Sequence, residues 1–357
     1  MRLHTALAVL LTLMAGASAP FAQTLPQTPG PKNAITDVPG IEVGHYTATN
    51  GAGGMTGTTA IIARGGATAG VTQRGGAPGT RETDLLKSEK AVGTVHAVTL
   101  SGGSAYSLAA ADGVMTCLES QGIGTPVANG AIVPIVPSAI LFDPGRCAPF
   151  NFRPDASFGM NACRAANNGP VQMGNVGAGA GARSGGNKGG IGTASAMLPN
   201  GVIVGAIVAV NSAGRTFDAA TGQFFAGYTL AGADTTITTA LAPSEAERDE
   251  LLRATTIAVV ATNVRLTKAQ ANKVAQMADD GLARAIRPAH GTGDGDTVFA
   301  LATGTVTATP NITQIGGAAA DALSRAIVRA LLAADGIHVG TCNVSSYCEL
   351  FPARCNR

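Results

Sequence analysis

Thr255-Thr256-Ile257-Ala258-Val259-Val260-Ala261 opens on two hydroxyls and continues as an unbroken apolar run. Further along, Gly291-Thr292-Gly293-Asp294-Gly295-Asp296-Thr297 leads into a second such run, Val298-Phe299-Ala300-Leu301-Ala302. Runs this short and this apolar read as strands buried on both faces. A threonine heading one buried strand, with two carboxylates in the loop that enters another, points to an activated hydroxyl. A hydroxyl is a weak nucleophile unless a base sits beside it. A threonine freed at a new N-terminus carries its own base, the α-amine, which titrates near pH 8 (roughly 7.7–8.0). The pair of stretches therefore predicts a hydrolase that cuts its own chain between residues 254 and 255 and then uses Thr255.

Outward from this centre, strand-like runs rich in Val, Ile and Ala recur at 58–63, 91–100, 131–142 and 201–210, most of them bounded by Gly, Pro or Asn. Three segments read as helices. The first, 104–120, follows Gly102-Gly103, with Ser104 expected as its N-cap. The second, 267–286, starts with a capping box from Thr267 to Gln270 and aligns Val274, Met277 and Leu282 on one face. The third, 318–334, aligns Leu323, Ile327 and Leu331 and stops at Asp335-Gly336. Dense central strands with a few amphipathic helices to cover them predict a layered sandwich, sheets inside and helices outside. The charged stretch 244–253 reads as a surface linker beside Thr255.

The N-terminus reads as an export signal over 1–22: Arg2 and His4 precede an apolar stretch and then small residues. A Pro-rich leader (23–32), one hydrolase domain (33–340) and a Cys-containing tail (341–357) complete the expected organisation. Nothing later in the chain reaches the ~18 apolar residues of a membrane span. The mature protein is therefore expected in the periplasm or secreted, off the membrane. A net charge of +2 without a Lys/Arg cluster speaks against nucleic acid as a partner. Six cysteines in an exported chain are free to pair. The sequence does not choose a connectivity; Cys342, Cys348 and Cys355 are expected to staple the tail.

Gly177-Ala178-Gly179-Ala180-Gly181-Ala182 fits a dinucleotide fingerprint formally, but further glycines follow where a helix should, so no cofactor is expected. Lys188 inside that glycine tract reads more simply as a solvated loop lysine than as a charge delivered to a site. No G-x-S-x-G elbow, metal-spaced histidines or calcium loop occurs, and no metal is expected. His290 lies within reach of the Asp294/Asp296 loop, with a structural role as plausible as a chemical one. Asn211, ending an apolar run, reads as a turn residue whose amide is also suited to stabilise an oxyanion.

At this point the chain resembles the DmpA-type L-aminopeptidase/D-amino-acid esterase family, which also contains β-peptidyl aminopeptidases and nylon-oligomer hydrolases. The similar stretches run in order along the chain: Asn33 to His45, Arg74 to Asp84, Leu100 to Ser104 with Ala110 to Val114, Ile207 to Asn211, Thr255 to Asn263 and Asp294 to Gly304. The resemblance implies a four-layer α-β-β-α sandwich, cut into two chains that stay together, and a homo-oligomer. It implies Thr255 as nucleophile, Asn211 as the oxyanion-side amide, and Asp294 and Asp296 as the pair that orients and polarises Thr255. Lys188 falls where the nylon-oligomer branch carries an active-site lysine. Ala254 stands where members commonly show Asn or Gly, and Phe142 where an active-site Tyr is often found; Phe142 is thus a residue of the expected substrate pocket. The implied activity is release of N-terminal residues from small peptides or amino-acid amides and esters, with hydrolysis of amide oligomers as the alternative. A non-catalytic exported binding protein is the rival from another class, motivated by Ala254 and Phe142.

Overall fold

The computed structural model describes residues 27–227 and 254–355. The expected export signal and the charged linker 244–253 lie outside the described residues. In chain order the main elements are β1 (Ile41–Thr49), β2 (Met55–Gln73), β3 (Gly79–Arg81), β4 (Val95–Ser101), α1 (Ala110–Glu119), β5 (Ser138–Ile140) and α2 (Ala156–Ala165). They continue with β6 (Gly190–Met197), β7 (Ile203–Val210), β8 (Ile257–Val264), α3 (Lys268–Ala285), β9 (Thr297–Val306) and α4 (Ile312–Ala333). A hairpin of β10 (Ile337–Val339) and β11 (Cys342–Val344) leads into the tail.

The 19-residue β2 belongs to two sheets. Its first half pairs with β1 on one side and β4 on the other, and its last residues pair antiparallel with β9, Thr297 opposite Gln73. One sheet therefore runs β6-β7-β8-β9-β2, with β8 and β9 parallel, and the other runs outward from β2 through β4 and β5 to β3. Because successive residues of a strand face opposite ways, even all-apolar strands divide their side chains between two layers. Ile257, Val259 and Ala261 of β8 meet Phe299 and Leu301 of β9 and Ile61, Val98 and Leu100 of the second sheet, so this core lies between the sheets. Ala258 and Val260 turn the other way, onto Val274 and Leu282 of α3 and Leu323 and Ile327 of α4. On the far side, Ala60, Ile62 and Ala97 meet Val114 and Leu118 of α1. The layers are α-β-β-α, as expected.

α3 starts at the expected cap: Thr267 accepts from Gln270 N–H, and the reciprocal side-chain bond is present. Other expectations shift. The run 131–142 is broken, with strands only at Ile132–Val133 and Ser138–Ile140. Pro134 and Pro137 lie between the two pieces and have no N–H to give a ladder. Ser104 does not cap a helix: it has φ +57° in the first turn of a 3-10 segment, and α1 proper begins six residues later at Ala110. β1, β6 and α2 were not anticipated.

All six cysteines are paired: Cys117–Cys163, Cys147–Cys342 and Cys348–Cys355. The first ties α1 to α2, the second ties the tail hairpin to the body, and the third closes a loop within the tail. No helix among the described residues is long and apolar enough to cross a membrane.

Candidate active site

Strand register assembles the site. In the antiparallel pair β7–β8, Ala209 lies opposite Ile257, so Asn211 arrives opposite Thr255, whose N–H donates to the Asn211 carbonyl at 2.7 Å. In the parallel pair β8–β9, Ile257 is level with Thr297, so Thr255 and Thr256 run alongside Gly295 and Asp296. Two ladder bonds extend this pairing upstream of the strands: Gly295 N–H to Ala254 O at 3.0 Å, and Thr297 N–H to Thr256 O at 3.1 Å. The side chain of Asp296 adds a third, accepting Thr256 N–H on Oδ1 at 2.7 Å. Thr255, Asn211, Asp294 and Asp296, scattered in sequence, therefore meet because each stands at a strand end on the same edge of one sheet.

Thr255 is 5% exposed, and its Oγ1 lies 2.5 Å from the carbonyl oxygen of Ala254. The hydroxyl thus sits against the peptide bond that precedes it, while Gly295 N–H holds the same oxygen. The Asp294–Asp296 loop is fixed by its own backbone. Gly291 N–H donates to Asp294 Oδ2 at 2.7 Å, His290 N–H donates to Asp296 Oδ2 at 3.0 Å, and Ala77 N–H takes the Asp294 carbonyl at 2.8 Å. Burial, and then the charge of Asp296, push the Asp294 carboxyl up to about 6.

Behind the nucleophile lies a second polar layer. Asn211 is fully buried; its Oδ1 accepts Arg183 N–H at 3.0 Å and also the guanidinium of Arg146, while Nδ2 donates to Phe142 O at 3.3 Å. Asn211 is therefore more than a turn residue. Phe142, half-buried, contributes its carbonyl to this layer, and its ring lies 6.4 Å from that of Phe150.

Lys188 overturns the solvated-loop expectation. It is 1% exposed, and Nζ donates to the carbonyls of Gly179, Ala182 and Gly189 at 3.1, 3.2 and 2.9 Å. The glycine tract folds back on itself and presents three carbonyls where a loop lysine would have met water. Burial, and then the charge of Arg146, push the ammonium down to about 7, although three carbonyl acceptors suit the charged form. Asp143 lies in the same layer, accepting Thr56 Oγ1 at 2.8 Å and Gly103 N–H at 2.7 Å, with burial pushing it up to about 6.

Sequence reasoning missed Asp143, Arg146, Arg183 and Gly295. Gly295 was legible in principle, as the residue between two candidate carboxylates. The others reach the site across long loops, and no local pattern marks them. Among the described residues no group of His, Cys, Asp and Glu is placed to hold a metal ion.

A four-layer sandwich with a hydroxyl at the head of a central strand is the arrangement of the N-terminal-nucleophile-hydrolase fold. Comparison with known proteins narrows this: residues 33–343 match the model of peptidase family S58, and the chain belongs to that family. A protein of Mycobacterium leprae named as an uncharacterized aminopeptidase is 46% identical over 356 residues, spanning 90% of this chain and 95% of its own. A 6-aminohexanoate-oligomer endohydrolase of Kocuria sp. is 31% identical over 283 residues, spanning 75% of this chain and 74% of its own. Among solved structures, a β-aminopeptidase of Burkholderia sp. matches with a TM-score of 0.66 at 25% identity, covering 92% of this chain and 94% of that one. The L-aminopeptidase D-Ala-esterase/amidase of Ochrobactrum anthropi shares the fold, with a TM-score of 0.71 at 23% identity and coverage of 92% and 94%.

Proposed function

We propose that the protein is a self-processing aminopeptidase in which Thr255 first cuts its own chain and then serves as an N-terminal nucleophile. The observation that carries this reading is the double hold on the Ala254–Thr255 peptide: Thr255 Oγ1 lies against its carbonyl, and Gly295 N–H donates to that oxygen at 3.0 Å. A donor aimed at the oxygen where charge develops is what an acyl-transfer step requires. In processing, Oγ1 adds to the Ala254 carbonyl carbon, the C–N bond to Thr255 breaks, and the hydroxyl proton ends on the freed nitrogen. Water then hydrolyses the resulting ester, leaving a carboxylate on Ala254 and a free amine on Thr255.

In turnover the same hydroxyl attacks a substrate carbonyl, the Thr255 amine takes its proton, and the leaving amine departs with that proton. Asn211 assists at the oxyanion, and water releases the acyl group. Asp296 keeps Thr256, and so the nucleophile's backbone, in place through its 2.7 Å bond. The buried carboxylates of Asp294 and Asp296 favour a substrate bearing an ammonium group, hence the N-terminal residue of a small peptide or amino-acid amide. The aminopeptidase name of the 46% identical relative supports the same choice over amide oligomers. Ala254 is compatible with processing, because the groups holding its carbonyl are a backbone N–H and the Thr255 hydroxyl. Lys188 and Arg146 are assigned to supporting the Asn211 layer, and Phe142 to the wall of the substrate pocket. Three disulfides support residence in an oxidising compartment, consistent with export.

The test is Thr255→Ala. On a reducing denaturing gel the wild type should give two chains, the smaller starting Thr-Thr-Ile-Ala on N-terminal sequencing. The variant should remain one chain and lose hydrolysis of amino-acid amides. Turnover by the variant would sink the reading.

A further inference from the structure

His290 has both ring nitrogens turned toward carboxylates. Nδ1 hydrogen-bonds Asp296 Oδ2 at 3.0 Å, while Nε2 lies 3.3 Å from Oδ2 of Asp279, on α3, as an ion-pair contact without hydrogen-bond alignment. The other oxygen of Asp296 accepts Thr256 N–H. A chain of charge contacts and hydrogen bonds therefore runs from the helix layer, through the imidazole, to the residue next to Thr255. We propose that Asp279, His290 and Asp296 form one charge-paired unit that fixes Asp296 against the Thr256 amide, making His290 and Asp279 positioning residues for Thr255. The inference rests on Thr255 being the nucleophile.

Proton counting supports it. An ionised carboxylate attracts a protonated nitrogen and repels a lone pair, so an imidazole between two of them suits both only with hydrogen on both nitrogens. A neutral ring would point a lone pair at one carboxylate, unless that carboxyl holds the proton instead. Either way one proton is held between the ring and a neighbouring carboxylate. The charged groups facing the ring are Asp279 from α3, Arg74 from just beyond β2, and Asp296 with Asp294 from its own loop. Burial works against a charged ring here, but Asp296 and Asp279 outweigh it and hold His290 above its ordinary value. Asp279 is pushed up to about 6 by burial, against the pull of His290 and Arg74.

Packing gives no reason for Asp279. It is 0% exposed on a helix face otherwise built of Val274, Ala275, Ala278 and Leu282. Among the described residues neither of its oxygens receives an aligned hydrogen bond. Its counter-charges are His290 and the half-exposed Arg74, Nη1 of which is 3.3 Å away. A buried carboxylate held only by ion-pair contacts is no more stable there than a well-packed apolar residue would be. What Asp279 does is hold the far side of His290, so that the ring cannot swing off Asp296.

The experiment compares Asp279→Asn and His290→Gln with the wild type in processing rate and in kcat and KM from about pH 5 to pH 9. In both variants kcat should fall by about a hundredfold, the scale of an ångström's misplacement of a nucleophile, with KM within threefold. The pH profile should move as well, which a merely structural loss would not cause. Since either variant may fail to mature, His290 is also followed by NMR in the uncut Thr255→Ala protein, with and without Asp279→Asn. The expected result is an imidazole that titrates above its ordinary value with Asp279 present and distinctly lower without it. An unchanged His290 titration, or variants with wild-type kcat and a superimposable pH profile, would overturn the proposal. Turnover by Thr255→Ala itself would sink the nucleophile reading instead; the NMR result separates the two failures, because it does not depend on turnover.

Discussion

A Cβ on Gly295 would lie 2.6 Å from Thr255 Oγ1 and 2.9 Å from Ala77 O. The residue that donates to the Ala254 carbonyl must therefore also be bare for the hydroxyl to sit where it does. Gly295→Ala keeps the N–H but displaces the hydroxyl, so self-cleavage should slow by about a hundredfold while the fold persists. A reducing-gel time course of precursor disappearance checks this; maturation at the wild-type rate would show that the hydroxyl tolerates the methyl. At this scale the sequence was partly legible. Thr255, Asp294, Asp296 and Asn211 stand at the ends of apolar runs, and a polar residue at such a junction is visible locally. Lys188 was misread because its surroundings are backbone carbonyls from a glycine tract, which composition presents as a solvated loop. Asp279 gave no signal, since one acid in an amphipathic helix is ordinary until its partner across the layer is known.

Among the elements, the strands legible in sequence were those with long runs of Val and Ile. β6 was missed because Gly190-Ile191-Gly192-Thr193-Ala194 looks like the end of a low-complexity loop. Its glycines have a packing reason. A Cβ on Gly192 would fall 1.9 Å from Ala326 O and 2.6 Å from Ala330 N, so α4 lies directly on β6 at that point. The composition that hides the strand is what lets the helix approach it. Gly192→Val should force the two layers apart and cost about 1–3 kcal/mol, read as a lower denaturant midpoint with an unchanged slope. An unshifted midpoint would mean that the contact is looser than the structure shows. β1 escaped notice for a related reason: Ile41-Glu42-Val43-Gly44-His45-Tyr46-Thr47 mixes polar residues into a strand that is only partly buried. A layered sandwich was foreseeable from the apolar runs and amphipathic helices, and its four layers from the family resemblance, whereas the sharing of β2 between both sheets was not.

At the scale of the whole molecule, the proposed cut falls inside a sheet. β8 and β9, downstream of it, are flanked by β7 on one side and β2 on the other, both upstream. The two products would each retain half of a continuous ladder, so neither has a complete core alone. The Cys147–Cys342 bond spans the same point, joining a residue before Thr255 to one far after it. Maturation would thus turn a loop closure within one chain into a covalent bridge between two. The consequence is one of molecularity. Without the bridge, reassembly after denaturation is a bimolecular encounter that slows on dilution; with it, the halves meet at an effective concentration that dilution cannot lower. Denatured without reductant and returned to buffer, the mature enzyme should recover activity with a yield and half-time independent of protein concentration over a hundredfold range, on the scale of about micromolar and below. After reduction and capping of the thiols the same experiment should become concentration-dependent. For a chain cut in two, this bond would make a second encounter between the halves unnecessary.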